Sequence, residues 1–283
     1  MKTNNFLKAV ALLFIIGLSF SCSSNSDNVV PEIKNVEGES FLTTGAPSSY
    51  STKTVVMDFT GTWCGYCPNA DKAIKGINKP NVFSIGYHVS DNMSNPDSET
   101  VDEFFGGNTR GYPDVLINGD PNEWNYSGGT ASYTIYDIFD SLLSKEAPLG
   151  LGISTSVEDS KISLTVKVGY AADLEKIKLA VYLLEDGYVS SQANYVDATQ
   201  PDPITGYVHN NILRKSFTNP LGDVIGANKI AAGGIFTKTI LDIDMPSTVN
   251  NANNLSVVAL VVDENYKLIN IQKVKLGQTQ DFD

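Results

Sequence analysis

Cys64 and Cys67 stand two residues apart in Trp63-Cys64-Gly65-Tyr66-Cys67-Pro68, directly after the strand-like run Thr54-Val55-Val56-Met57-Asp58-Phe59. A dithiol placed where a strand hands over to a helix faces unpaired backbone N–H groups and the positive end of the helix dipole. Such surroundings lower a thiol pKa and make the sulfur nucleophilic near neutral pH. The chemistry this spacing predicts is thiol–disulfide exchange, in which one sulfur attacks and the other resolves.

Other uses of the pair weigh less. Two cysteines this close can staple only a tiny loop, which adds little stability. A structural zinc site usually takes four Cys or His ligands. Apart from the dithiol the chain offers Cys22 and two histidines, His88 and His209, in different regions. No metal and no cofactor is expected. The acid-rich stretches Asp91–Asp97 and Asp197–Asp202 lack calcium-loop spacing and read as solvated loops. His88 ends a strand that runs toward the same sheet edge as the dithiol, where an imidazolium would stabilise a thiolate, so it is a candidate modulator. His209 precedes a strand far along the chain and is given no chemical role.

The elements that must position these residues are legible in outline. Val55–Phe59 reads as a buried strand, and Cys67–Asn78 as a helix with Ala70, Ala73, Ile74 and Ile77 on one face. Pro68 is tolerated there because it falls in the first turn. Val82–His88 is a second strand, Ser98–Phe105 a short helix, Asp114–Asp120 a strand with its turn, and Thr130–Lys145 a helix. After Pro148 the pattern becomes alternating. Strands are expected at Gly150–Val157, Ile162–Tyr170, Ile177–Leu184, Ile212–Phe217, Ile235–Ile243, Leu255–Val262 and Leu268–Leu276, with a long loop between Asp186 and His209. Seven strands without a strong helix predict an all-β immunoglobulin-like sandwich. No internal repeat is visible.

The formal net charge is −12, which argues against a nucleic-acid partner. The amino terminus reads as a lipoprotein signal peptide. Lys2 and Lys8 precede an apolar stretch from Ala9 to Leu18 that is too short to span a bilayer. Leu18-Ser19-Phe20-Ser21-Cys22 then resembles a lipobox, which makes Cys22 the expected lipidation site. The predicted organisation is signal peptide 1–21, tether 22–40, a first domain 41–147 and a second domain 148–283.

Residues 41–147 resemble the thioredoxin superfamily. The resemblance rests on Trp63-Cys64-Gly65-Tyr66-Cys67 opening a helix after a buried strand, on Asp58 before the dithiol, and on Pro113 well after it. It implies a thioredoxin-like α/β domain with Cys64 as the more exposed, attacking thiol and Cys67 as the buried, resolving one. It implies a proton-carrying role for Asp58 and a cis-proline loop at Pro113 that shapes the groove. Trp63, Gly65, Tyr66 and Tyr112 would line that groove, and the Gly65-Tyr66 dipeptide would tune redox poise. Tyr112 is larger than the small or β-branched residue common before that proline.

The mature chain as a whole is similar to the Bacteroidetes outer-membrane lipoproteins called the 28-kDa outer-membrane protein family. Its anchors here are Phe59–Pro68, Gly111-Tyr112-Pro113, His209–Lys215 and Asn270–Leu276. That resemblance implies the same two-domain layout, lipid-anchored at the outer membrane, with no settled activity. Two functions are therefore expected. One is a membrane-anchored thiol–disulfide oxidoreductase acting on exported proteins or low-molecular-weight disulfides. The alternative is a non-catalytic surface lipoprotein or adhesin that binds through its β-domain. Edge strands of the sandwich also offer a route to a homodimer.

Overall fold

The computed structural model describes residues 37–120 and 135–283. The expected signal peptide, Cys22 and most of the tether lie outside the described residues. So does the start of the helix expected from Thr130.

Strand β1 (Gly38–Leu42) comes first. It takes in residues 38–40, which had been expected to close the tether. β2 (Thr54–Thr60) follows and leads into α1 (Cys67–Lys75). That helix is shorter than the sequence suggested, because Gly76 caps it and its N–H turns back to Lys72 O at 3.1 Å. β3 (Val82–His88), α2 (Pro96–Phe105), β4 (Asp114–Ile117) and α3 (Ile135–Leu143) complete the first half. β4 stops early because Asn118 and Gly119 take positive φ of 55° and 79° and turn the chain.

The second half runs β5 (Leu149–Glu158), β6 (Lys161–Tyr170), β7 (Lys178–Glu185), β8 (Tyr188–Gln192), β9 (Ile204–His209) and β10 (Ile212–Ser216). Then come β11 (Ile235–Asp244), β12 (Leu255–Val262), β13 (Leu268–Lys275) and β14 (Thr279–Gln280). All seven strands expected there are present. The stretch expected as a long loop differs: β8 and β9 form an antiparallel hairpin in register Tyr188↔His209. Its outward residues such as Val189 stay exposed, so the strands lack the burial-driven alternation that announces the others.

The protein is mostly β with several sheets. The larger sheet has eight strands, seven of them in the order β13-β12-β7-β10-β3-β2-β4, with the two-residue strand Asp223–Val224 pairing onto β7. Strands from both halves of the sequence therefore lie in one layer. β3 runs parallel to β2 over its whole length, and β10 joins β3 through the single parallel pair Ile212↔Gly86. The five-stranded sheet runs β1-β11-β6-β5-β14.

Strand period explains the layering, since successive side chains point to opposite faces. On β7, Leu179, Val181 and Leu183 pack with Leu151, Val166, Val168 and Phe236 of the smaller sheet. Ala180, Tyr182 and Leu184 face the other way and share a core with Val55, Met57, Phe59, Tyr87 and Val101. A third core holds Val56 and Ile117 under Ala70 of α1 and Phe139 of α3. β7 and β12 are thus buried on both faces.

Two buried polar groups stitch distant segments together. Asn270 Oδ1 accepts from Lys53 N–H at 3.0 Å, while its amide donates to Ser51 O and Leu149 O at 3.1 and 2.8 Å. Arg214 Nε donates to Glu185 Oε2 at 2.7 Å, and Glu185 Oε1 accepts from Asn250 and Asn251 N–H. The base of the Ile212-Leu213-Arg214-Lys215 run is therefore a paired one, buried in the sheet.

Candidate functional site

Cys64 and Cys67 form a disulfide, with Cα atoms 5.4 Å apart. β2 delivers the motif to the end of the sheet, and α1 starts at Cys67 with Pro68 in its first turn. Tyr66, at the N-cap, makes no side-chain capping bond, so the disulfide adjoins a helix end without a side-chain acceptor. Cys64 N–H donates to Gly61 O at 3.0 Å and Cys67 N–H to Cys64 O at 3.2 Å, which fixes the loop.

Aromatic rings flank the motif. Trp63 donates from Nε1 to Val89 O at 2.9 Å, and its ring meets Tyr112 edge-on at 5.2 Å. The Tyr112–Pro113 peptide is cis, and Tyr112 Oη donates to Asp102 Oδ2 at 2.8 Å. The proline loop thus reaches the motif through the Tyr112 ring on the flank of Trp63.

Behind the disulfide lies a small cavity whose lining includes Asp58, Cys67, His88, Gln192, Tyr207 and His209. Asp58 Oδ1 is buried there without a hydrogen-bond partner. Burial, helped by the nearby charges of Asp71 and Asp114, pushes the Asp58 carboxyl up to about 8, against a smaller opposing pull from Lys75. Asp58 also lines an adjoining open cleft of about 430 Å³ together with Asp71 and Lys75. A carboxylic acid that keeps its proton at neutral pH, next to the inner sulfur and next to solvent, can give a proton to a departing thiolate.

His88 sits in the same cavity, bonded through Nδ1 to Asp91 Oδ2 at 2.7 Å. Burial would raise Asp91, but His88 and the N–H groups of Thr62 and Met93 outweigh it and hold the carboxyl below its usual range. Asp91 therefore ties His88 to the loop just before the dithiol, and it is buried rather than solvated. His209 ends β9, and its ring lies 5.2 Å from that of His88. Burial, then the charge of His88, lowers His209 to about 3, so it is neutral. Tyr207 donates its hydroxyl to Asp71, which also pairs with Lys75 at 2.6 Å.

The structure brings Cys64, Cys67, Asp58, Trp63, Tyr66, Tyr112 and His88 into one neighbourhood, with Pro113 adjoining through Tyr112. It departs from expectation on access. Cys64 was expected to be the more exposed sulfur, yet Cys64 and Cys67 are 4% and 3% exposed. The segment after β8 lies against the loop that carries both sulfurs. Ala193 N–H donates to Thr62 O and Tyr195 N–H to Gly65 O, both at 2.8 Å. Gln192 and Tyr195 carry no motif that marks them, and only their place in the fold makes them part of the site. His209 does adjoin a sequence signal, in the run His209–Lys215. Among the described residues, no group of three or more His, Cys, Asp or Glu side chains is arranged to hold a metal ion. None of the described helices is long and apolar enough to cross a membrane.

Comparison with known proteins gives one family and two solved structures. The family model described as "Outer membrane protein Omp28" matches residues 100–280. The fold is similar to HBP35 of Porphyromonas gingivalis, with TM-score 0.59 and 20% identity over 81% of this chain and 76% of that one. A domain of the outer membrane lipoprotein Omp28 from Porphyromonas gingivalis matches at TM-score 0.30 and 19% identity, over 46% of this chain and 89% of that one. No curated protein matches the chain.

Proposed function

We propose that this chain, which belongs to the Omp28 family of outer membrane proteins, is a thiol–disulfide oxidoreductase acting on exported protein or small disulfides. The protein is lipid-anchored at the outer membrane of the cell envelope. Cys22 is the proposed lipid acceptor. The fold reading beneath this is a thioredoxin-like arrangement over 41–147 joined to an immunoglobulin-like sandwich over 148–283. Parallel β2 and β3, the dithiol at the start of α1 and the cis Tyr112–Pro113 bond support the first part. The core shared by the two sheets supports the second.

The observation that carries the activity is the unpartnered, protonated Asp58 behind Cys67. In the oxidised state seen here, an incoming thiolate attacks Cys64 Sγ and forms a mixed disulfide. The Cys64–Cys67 bond breaks, Cys67 leaves as a thiolate, and the Asp58 carboxyl supplies its proton. A second thiolate on the partner then displaces Cys64, so the partner is oxidised and the pair reduced. Run in reverse, the same steps reduce a partner disulfide. The test is insulin reduction and refolding of a scrambled disulfide protein by the soluble chain without its anchor. Both rates are expected to fall to background in Cys64→Ser, and unchanged rates refute the reading.

A second reading is favoured by the burial of Cys64. The protein would then be a non-catalytic surface lipoprotein that binds a partner through its β-rich part, with the disulfide as a local staple. Partner capture that survives loss of both cysteines, with no turnover in the assays above, selects it.

A further inference from the structure

Gln192–Tyr195 lies directly on the dithiol loop. Besides the two backbone bonds to Thr62 O and Gly65 O, Gln192 Nε2 donates to Cys64 O at 2.9 Å and to Gly61 O at 3.3 Å. The Tyr195 ring fills the space beside Gly65: a Cβ on residue 65 would lie 2.2 Å from a ring carbon. The same ring meets Tyr66 edge-on at 5.7 Å. Alternate residues of the segment donate backbone N–H to the motif, as one strand does to its neighbour. Tyr195 itself is 63% exposed, whereas Gln192 and Asn194 of the same segment are 2% and 6% exposed, so it is the ring at the tip that little buried area holds down.

We propose that Gln192–Tyr195 is a displaceable cover over Cys64, and that the partner able to lift it is an extended polypeptide that hydrogen-bonds to Thr62 O and Gly65 O in its place. This rests on the oxidoreductase reading for its partner, though not for the cover itself. While the segment is down, no outside sulfur reaches Cys64. Reactivity then scales with the fraction of molecules in which it is up. An extended chain brings its own N–H donors to the two freed carbonyls. A compact thiol does not.

The first measurement is the rate at which dithiothreitol reduces the pair in the full chain at pH 7, followed by alkylation and mass. One dithiothreitol thiolate attacks Cys64 Sγ and Cys67 leaves as a thiolate. The second then closes the dithiothreitol ring and frees Cys64, so two electrons pass to the protein. Tyr195→Ala removes the covering ring from an exposed position, and Gly65→Ala pushes it off from beneath. Each is expected to react about tenfold faster than the parent. The double variant is expected to be no faster than the faster single, since both act on one contact. Rates within threefold of the parent in both singles, in chains with unchanged circular dichroism, overturn the cover.

The second probe is a reduced, unstructured dithiol peptide and its analogue N-methylated on the residues flanking one cysteine. Slower reaction of the analogue by about tenfold supports the extended partner, and equal rates overturn it. Faster reduction in the variants with no insulin turnover in any chain keeps the cover and removes the enzyme. Turnover that depends on Cys64 but ignores both cover variants does the reverse.

Discussion

Asp58 holds a proton beside Cys67 at neutral pH, and that proton has a thermodynamic consequence. Its carboxyl lies near an ordinary value in the unfolded chain and at about 8 in the fold. Between those values the native state binds more protons than the unfolded one, so stability falls as pH rises through the window. The contribution is fully present below about pH 4 and lost above about pH 8. Asp58→Asn removes the titration while keeping the shape. Relative to the parent it is expected to gain roughly 5–6 kcal/mol at pH 9 and almost nothing at pH 4, read by urea unfolding. Parallel pH profiles for the two chains would show that the acid titrates normally. At the same scale, Gly65 is glycine for a local reason: the Tyr195 ring occupies the space of its missing side chain. The sequence reading placed Gly65 and Tyr66 in the groove and gave the dipeptide the tuning of redox poise.

Among the elements, α2 shows how local chemistry ties the halves together. Asn95 caps it, accepting from Asp97 and Ser98 N–H at 3.0 and 3.2 Å, and Ser98 Oγ accepts from Asn95 N–H at 3.1 Å. The Asn95 amide also donates to Leu213 O on β10 at 2.7 Å, and Asp97 Oδ2 accepts from Ser216 N–H at 2.7 Å. Asn95→Ala loses both the cap and the bond to β10. It is expected to cost about 2 kcal/mol in a urea titration, the high end for an N-cap. A change below about 0.5 kcal/mol would mean that neither bond contributes. α2 starts two residues before the expected Ser98, at Pro96, which serves as a first helical residue. The strands of the second half were legible because burial of one face writes period-two runs such as Ile162–Val168, and burial of both faces writes continuous apolar runs such as Leu179–Leu184. The β8–β9 hairpin was not, because the residues it packs against the fold are Gln192, Tyr207 and His209, which write no apolar alternation. The dithiol could be read from its spacing, and Asp58 and the Tyr112-Pro113 loop from the resemblance to the thioredoxin superfamily, while Asp91, Gln192, Tyr195 and Tyr207 could not. Gln192, Tyr195 and Tyr207 reach the site by long-range contacts that leave no local pattern, and Asp91 joins its neighbour His88 to the distant Thr62.

At the scale of the molecule, the described residues form one compact unit. One core contains Val55, Tyr87 and Val101 from the first half and Tyr182, Val258 and Leu260 from the second. Either half alone would expose that face to water, at a cost near 25 cal/mol per Å² of apolar surface. Heating is therefore expected to give one calorimetric transition whose van't Hoff and calorimetric enthalpies agree. Two resolved transitions would show that the halves are energetically separate. The dithiol grows from β2, and the hairpin that shields it is flanked by β7 and β10 of the same layer. Among the described residues, guard and guarded belong to one compact unit. With the proposed cover, exposing the sulfur takes the peeling back of one loop tip, and the two halves need not swing apart like jaws.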